Sequence, residues 1–319
     1  MKRVPILSVS VLLMLFVLLG SGGCRRKTNP AREDGKLNVT SVIFPSYDFV
    51  RAIAGDRVNL IMLLPPGTES HSYEPSPRDI LTIRESDLFI YQGGENTKWV
   101  DRILESSGDA NGKMMVLKLL DLVEAVEEEI VEGMEDDDDD DEFPAFDEHV
   151  WTSPRNAKVI VAAIAGALCD LDSANADFFR QNAAEYIANL DELDAAFRSL
   201  VDGAKRKTIV FGDRFPFRYL TDAYGLSYFA AFPGCSTETE PSAATVAFLI
   251  NKVKDEHIPV IFHMELSNER MANTISEATG AKKLLLHSCH NITRKDFEDG
   301  ANYLDLQKIN VDHLGEALR

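Results

Sequence analysis

What this chain of 319 residues lacks narrows its function first. Basic residues are absent from the whole stretch Asp121–Glu148, which carries 16 of the 52 acidic residues; the other 36 are nearly matched by 33 Lys and Arg. The formal charge of −19 is therefore one local segment, and the balanced remainder leaves no electrostatic footprint for nucleic acid. No HExxH and no GxSxG occurs, so nothing independent supports hydrolysis by a zinc protease or a serine hydrolase. Apolar residues are not scarce. At 45% they exclude disorder, and the length exceeds what one hydrophobic core usually serves, so two lobes are expected.

At the N-terminus, Lys2 and Arg3 precede the apolar run VLLMLFVLLG, and SGG leads into Cys24. This reads as a signal peptide over 1–23 ending at a lipidated Cys24, with a polar, turn-rich tether over 24–36. Ser21 stands where a lipoprotein box prefers Leu, and a plain secretory signal or an uncleaved anchor are the other readings. The expected location is the outer surface of the cytoplasmic membrane, held by one lipid anchor.

From Leu37 onward, strands alternate with helices. LNVTSVIF, VNLIMLL and DLFIYQG read as strands, with SYDFVRAIAG and SPRDILTIRES as helices between them. KTIVFG, LSYFAAF, IPVIFHM and AKKLLLH repeat the scheme further on, with ATVAFLINKVKDEH and NERMANTISEATG as helices. Such alternation predicts an α/β protein: parallel sheets flanked by helices in an N-terminal lobe over 37–172 and a C-terminal lobe over 204–319. Between them, over 173–203, Phe179, Ala183, Ile187, Leu190, Leu193, Phe197 and Leu200 recur at helical steps, with no proline and no glycine before Gly203. One long helix there makes a rigid connector.

Four histidines fall in loop-like contexts, most of them just after strands: His71 in PPGTESHSYEPSP, His149 in FDEHVWTSP, and His287 with His290 in LLLHSCHNIT. Ligands gather at the carboxyl ends of strands in open α/β sheets, so these loops can converge on one metal. In HVWTSP, Thr152 or Ser153 can cap and Pro154 can open a helix, holding His149 on a short lead. The run Glu135–Glu142 reads as a solvated loop of mutually repelling carboxylates. After Cys24 an odd number of cysteines remains; Cys235 and Cys289, both in second-lobe loops, can form a disulfide, with Cys169 in its helix, or all three can stay reduced.

These segments together resemble the metal-specific solute-binding proteins of ABC importers, the zinc and manganese receptor class. PGTESHSYEPSPRD is similar to that family's first ligand loop, DEHVWTSP to its second, and GGENTKWVDRIL to the end of its third strand and the helix beyond. The resemblance implies two α/β lobes joined by one long helix, with a divalent metal between them. It implies His71 and His149 as the first two ligands. The third falls in FGDRFPFRYL, at Asp213 or Arg214, and arginine has no acceptor to offer a cation. The fourth falls at His287, with His290 as the alternative. Three imidazoles and one carboxylate suit Zn²⁺ better than Mn²⁺, the alternative ion. The resemblance also implies delivery to a permease partner rather than catalysis, and places a metal-gathering loop where the acidic run lies. A secreted zinc hydrolase and a surface adhesin are the competing readings.

Overall fold

The computed structural model describes residues 35–70, 72–107, 114–134, 145–236 and 241–319. The expected signal segment, Cys24, His71 and the run Glu135–Glu142 lie outside them. The first half comprises β1 (Leu37–Ser41), α1 (Phe44–Ala54), β2 (Val58–Met62), α2 (Pro77–Arg84), β3 (Leu88–Tyr91), α3 (Lys98–Ser107) and β4 (Met115–Lys118). Two helices follow, α4 (Pro154–Leu171) and α5 (Ala176–Asp202). The second half contains β5 (Thr208–Phe211), β6 (Arg214–Phe215), α6 (Arg218–Tyr224), β7 (Ser227–Phe229), β8 (Phe232–Pro233) and α7 (Ala243–Asp255). It continues through β9 (Val260–His263), α8 (Arg270–Thr279), β10 (Lys282–Leu285), α9 (Arg294–Glu298) and α10 (Tyr303–Ala317).

Each half is built on a four-stranded parallel sheet, ordered β2-β1-β3-β4 in the first and β7-β5-β9-β10 in the second. In both, the first strand of the sheet lies between the second and the third, so each has a switch point where the connections diverge. Val39 of β1 pairs with Leu60 on one side and Leu88 on the other, and all four residues of β3 are buried. Strands covered on both faces become continuous apolar runs, which is why LFIY and TIVF stand out in the sequence. Alternation decides which face each side chain serves: Ile209, Phe211 and Phe262 join the large shared core, while Val210 and Ile261 join a smaller cluster with Leu249, Val253 and Ile275 of α7 and α8.

The first strand is shorter than its apolar run. It ends at Ser41, and Phe44 opens α1 with Pro45 in the first turn, where a missing N–H costs nothing. The connector predicted from periodicity is α5, 27 residues long and so about 40 Å. It packs along α4, against α1 of the first half and against α6 and α10 of the second, burying Phe179, Tyr186, Leu190, Leu193 and Phe197. No described helix is long and apolar enough to cross a membrane.

The segment after β10 returns to the first half. Phe44 N–H donates to the His290 carbonyl (3.3 Å), Gly67 N–H to that of Ile292 (2.8 Å), and Tyr303 N–H to Asp48 Oδ2 (2.8 Å). These bonds carry the second-half segment over to α1 and to the loop that follows β2.

Candidate metal centre

His149 sits at 0% exposure, just before a single 3-10 turn, Val150–Thr152, that leads into α4. Its backbone N–H donates to Asp147 Oδ1 (2.7 Å), and the same oxygen lies 2.9 Å from His149 Nδ1. A proton held on Nδ1 by that carboxylate leaves the lone pair on Nε2, the arrangement that prepares an imidazole to ligate a metal. Burial alone would lower the His149 pKa; Asp147, then Glu148 and Glu128, outweigh it and leave it raised.

The ring that faces His149 is His290, at 2% exposure. Their centroids are 5.2 Å apart, and Trp151 packs edge-on to both, at 5.4 Å from His149 and 5.0 Å from His290. Trp151 Nε1–H also donates to the Ser288 carbonyl (2.8 Å), while its own carbonyl accepts from Tyr303 O–H (2.6 Å). One buried tryptophan, through its indole and its backbone carbonyl, thus ties the His149 loop, the His290 loop and the start of α10 together.

His287 is oriented differently. Its Nδ1 accepts from Cys289 N–H (3.0 Å) and lies 3.5 Å from Glu265 Oε2, while its backbone N–H and carbonyl are both bonded to the Asn310 side chain. An imidazole accepting at Nδ1 carries its proton on Nε2, which leaves no lone pair for a cation. Asp213 is also engaged elsewhere, accepting from Arg214 N–H (2.9 Å) and Met264 N–H (3.4 Å). Burial pushes its carboxyl up, against hydrogen bonds from Ser267 and those two amides. It lines a cavity of about 370 Å³ beyond β5 and β9 with Arg214, Ser267 and Arg270, a cavity that neither His149 nor His290 lines. Arg214 reaches back to Glu69 Oε1 at 3.2 Å. Gly212 precedes this loop, and a Cβ there would come 2.6 Å from Ala272 Cα, so α8 can approach only a glycine.

Of the residues expected from sequence, the structure therefore brings His149 and His290 together, and sets Asp213 and His287 in other networks. Among the described residues no group of three or more His, Cys, Asp or Glu is gathered as a metal cage. Cys169, Cys235 and Cys289 are free thiols, so the disulfide between Cys235 and Cys289 is not formed. Cys235 N–H donates to Glu128 Oε1 (2.7 Å) and its sulfur lies 3.6 Å from Glu148 Oε1, whereas Cys289 faces Gln307. Burial first, and neighbouring carboxylates second, push both thiols well above their ordinary range. Glu148, bonded by Asn96, is pushed up to about 7 by burial. Gly94 admits it: at φ +82°, its Cβ would stand 2.9 Å from Glu148 Cβ.

Sequence reasoning missed Asp147, Glu265 and Ser288 as parts of this site. Asp147 was legible two residues before His149, and Glu265 by its place just after a buried strand.

Two parallel α/β halves of matching strand order, spanned by one helix and meeting over paired buried histidines, define a two-lobed binding protein. The profile of the family described as "Zinc-uptake complex component A periplasmic" matches residues 39–317, and the chain belongs to that family. It is 32% identical to the high-affinity zinc uptake system protein ZnuA of Bacillus subtilis, over 97% of this chain and 96% of that one. It is 33% identical to the zinc-binding lipoprotein AdcA of Streptococcus pneumoniae, over 98% of this chain and 60% of that longer protein. The crystal structure of the Zn(II)-bound ZnuA-like domain of that AdcA superposes with a TM-score of 0.74, at 31% identity, covering 89% of this chain and 99% of that domain.

Proposed function

We propose that this protein is the extracytoplasmic receptor of an ABC-type zinc importer, taking up Zn²⁺ as cargo through His149 and His290 and passing it to a permease. The observation that carries the reading is the buried pair of imidazoles, 5.2 Å apart, contributed by the two halves of a zinc-uptake family member. Asp147 on His149 Nδ1 is the outer-shell carboxylate that metal-bound histidines usually have. His71 is the third imidazole in this reading, and His290 takes the place the sequence assigned to His287. Nitrogen-rich donors favour Zn²⁺ over Mn²⁺, which prefers oxygen and more ligands. A lipid on Cys24 would tether the receptor beside its permease. A binding role is favoured over hydrolysis because no general-base motif accompanies the histidines.

Titration of the metal-free protein tests this. One zinc per chain should bind and persist against a large excess of manganese, and a His149→Ala, His290→Ala double variant should lose it. Preferential retention of manganese, or undiminished zinc binding by the double variant, would refute the reading.

A further inference from the structure

We propose that Glu265 is a positioning residue for the metal site, holding the His290 ring against His149 by gathering the loop that carries it. The inference rests on the zinc-site reading above. Glu265 follows β9 at 6% exposure. Its Oε2 accepts from Ser288 N–H (2.7 Å), and its Oε1 from Ser288 Oγ (2.5 Å) and His290 N–H (3.1 Å). Three donors from residues 288 and 290 thus converge on one carboxyl group, and the Ser288 hydroxyl also accepts from His290 N–H (3.1 Å).

Such convergence demands an unusual backbone. Cys289, between the two donors, has φ +62°, a left-handed conformation that a non-glycine residue adopts only when its surroundings compel it. Leu266, next to Glu265, is left-handed as well, at φ +59°. On each side of the contact, a neighbouring residue is therefore held in a sparsely populated conformation. The turn at Cys289 also separates the two histidines. His287, before it, is directed to Glu265 and Cys289 N–H, and His290, after it, faces His149 and Trp151. Without the acceptor at 265, Ser288 N–H and Oγ and His290 N–H would be buried without their principal partner, a situation that drives a loop to rearrange. The His290 ring would move with it. An outer-shell carboxylate of this kind typically controls metal affinity by about 10–100-fold.

The experiment compares zinc affinity, by competition with a chromophoric chelator, in the full chain and in Glu265→Gln, Glu265→Asp and His290→Ala. Cobalt absorption spectra report ligand geometry, and melting of the metal-free forms reports the fold. Glu265→Gln offers an amide N–H₂ where a donor already points, so affinity should fall by about 10–100-fold with an altered cobalt spectrum and near-unchanged melting, and Glu265→Asp should recover part of the loss. Wild-type affinity in Glu265→Gln would overturn the inference, as would equal losses in Gln and Asp variants that track their melting temperatures. If Glu265→Gln fails to fold, Ser288→Ala, which removes only the hydroxyl donor, must lower affinity in the same direction, and an unchanged value there would be fatal. Wild-type zinc binding in His290→Ala would instead overturn the zinc-site reading itself, whatever Glu265 does.

Discussion

The loops that follow β5 and β10 leave the same sheet and meet opposite fates. After β5, the Asp213 carboxylate is taken up by amides of its own half, and Arg214 extends to Glu69. After β10, the N–H groups of Ser288 and His290 are absorbed by Glu265, their carbonyls by Trp151 and Phe44, and the His290 ring is delivered to His149 in the other half. A side chain becomes available to a site when the backbone beneath it is satisfied by something else. The Asp213 side chain is instead spent as an acceptor for the amides of Arg214 and Met264.

The comparison breaks or holds on four substitutions and one deletion. The largest effect belongs to His149→Ala and His290→Ala, each of which should reduce zinc affinity by more than the roughly 10–100-fold typical of outer-shell changes, read by chelator competition. Next is Asp147→Asn, expected within that range of about 10–100-fold because the amide no longer fixes the His149 tautomer; binding as in wild type would show that Asp147 does not orient the ring. Asp213→Asn should change affinity by less than about 3-fold, since its hydrogen bonds lie outside the pair; a loss as large as that of His290→Ala would make the β5 loop a ligand loop after all. The smallest effect belongs to deletion of Glu135–Glu142, which should leave the tight site within about 2-fold, because mutually repelling carboxylates offer no preorganised geometry. Disappearance of tight binding in the deletion would assign the acidic run a direct role.

The same contrast explains what the sequence disclosed. Buried parallel strands such as LFIY and TIVF, and the long stripe from Phe179 to Phe197, follow periodicities that burial alone imposes. Strand β4 escaped notice because MVLK is a short edge strand with no fully buried residue. Helix α10 escaped because it buries Gln307 and Asn310 beside Tyr303, Leu306 and Leu314, so its buried face is not uniformly apolar. In the site, DEHVWTSP carried both His149 and Asp147, two positions apart in one short loop. The choice between His287 and His290 was not legible, because it turns on the left-handed Cys289 and on a carboxylate more than twenty residues earlier in the chain. Local pattern specifies a turn; only the tertiary fold says which of two nearby rings it sends across.

The most direct test is a crystal structure of the zinc-loaded protein with anomalous data at the zinc edge. The account predicts one ion within about 2.0–2.1 Å of His149 Nε2 and of a His290 ring nitrogen, with Glu265 still bound to Ser288 and His290 N–H. An ion held by Asp213 or His287 with His290 turned away would contradict it.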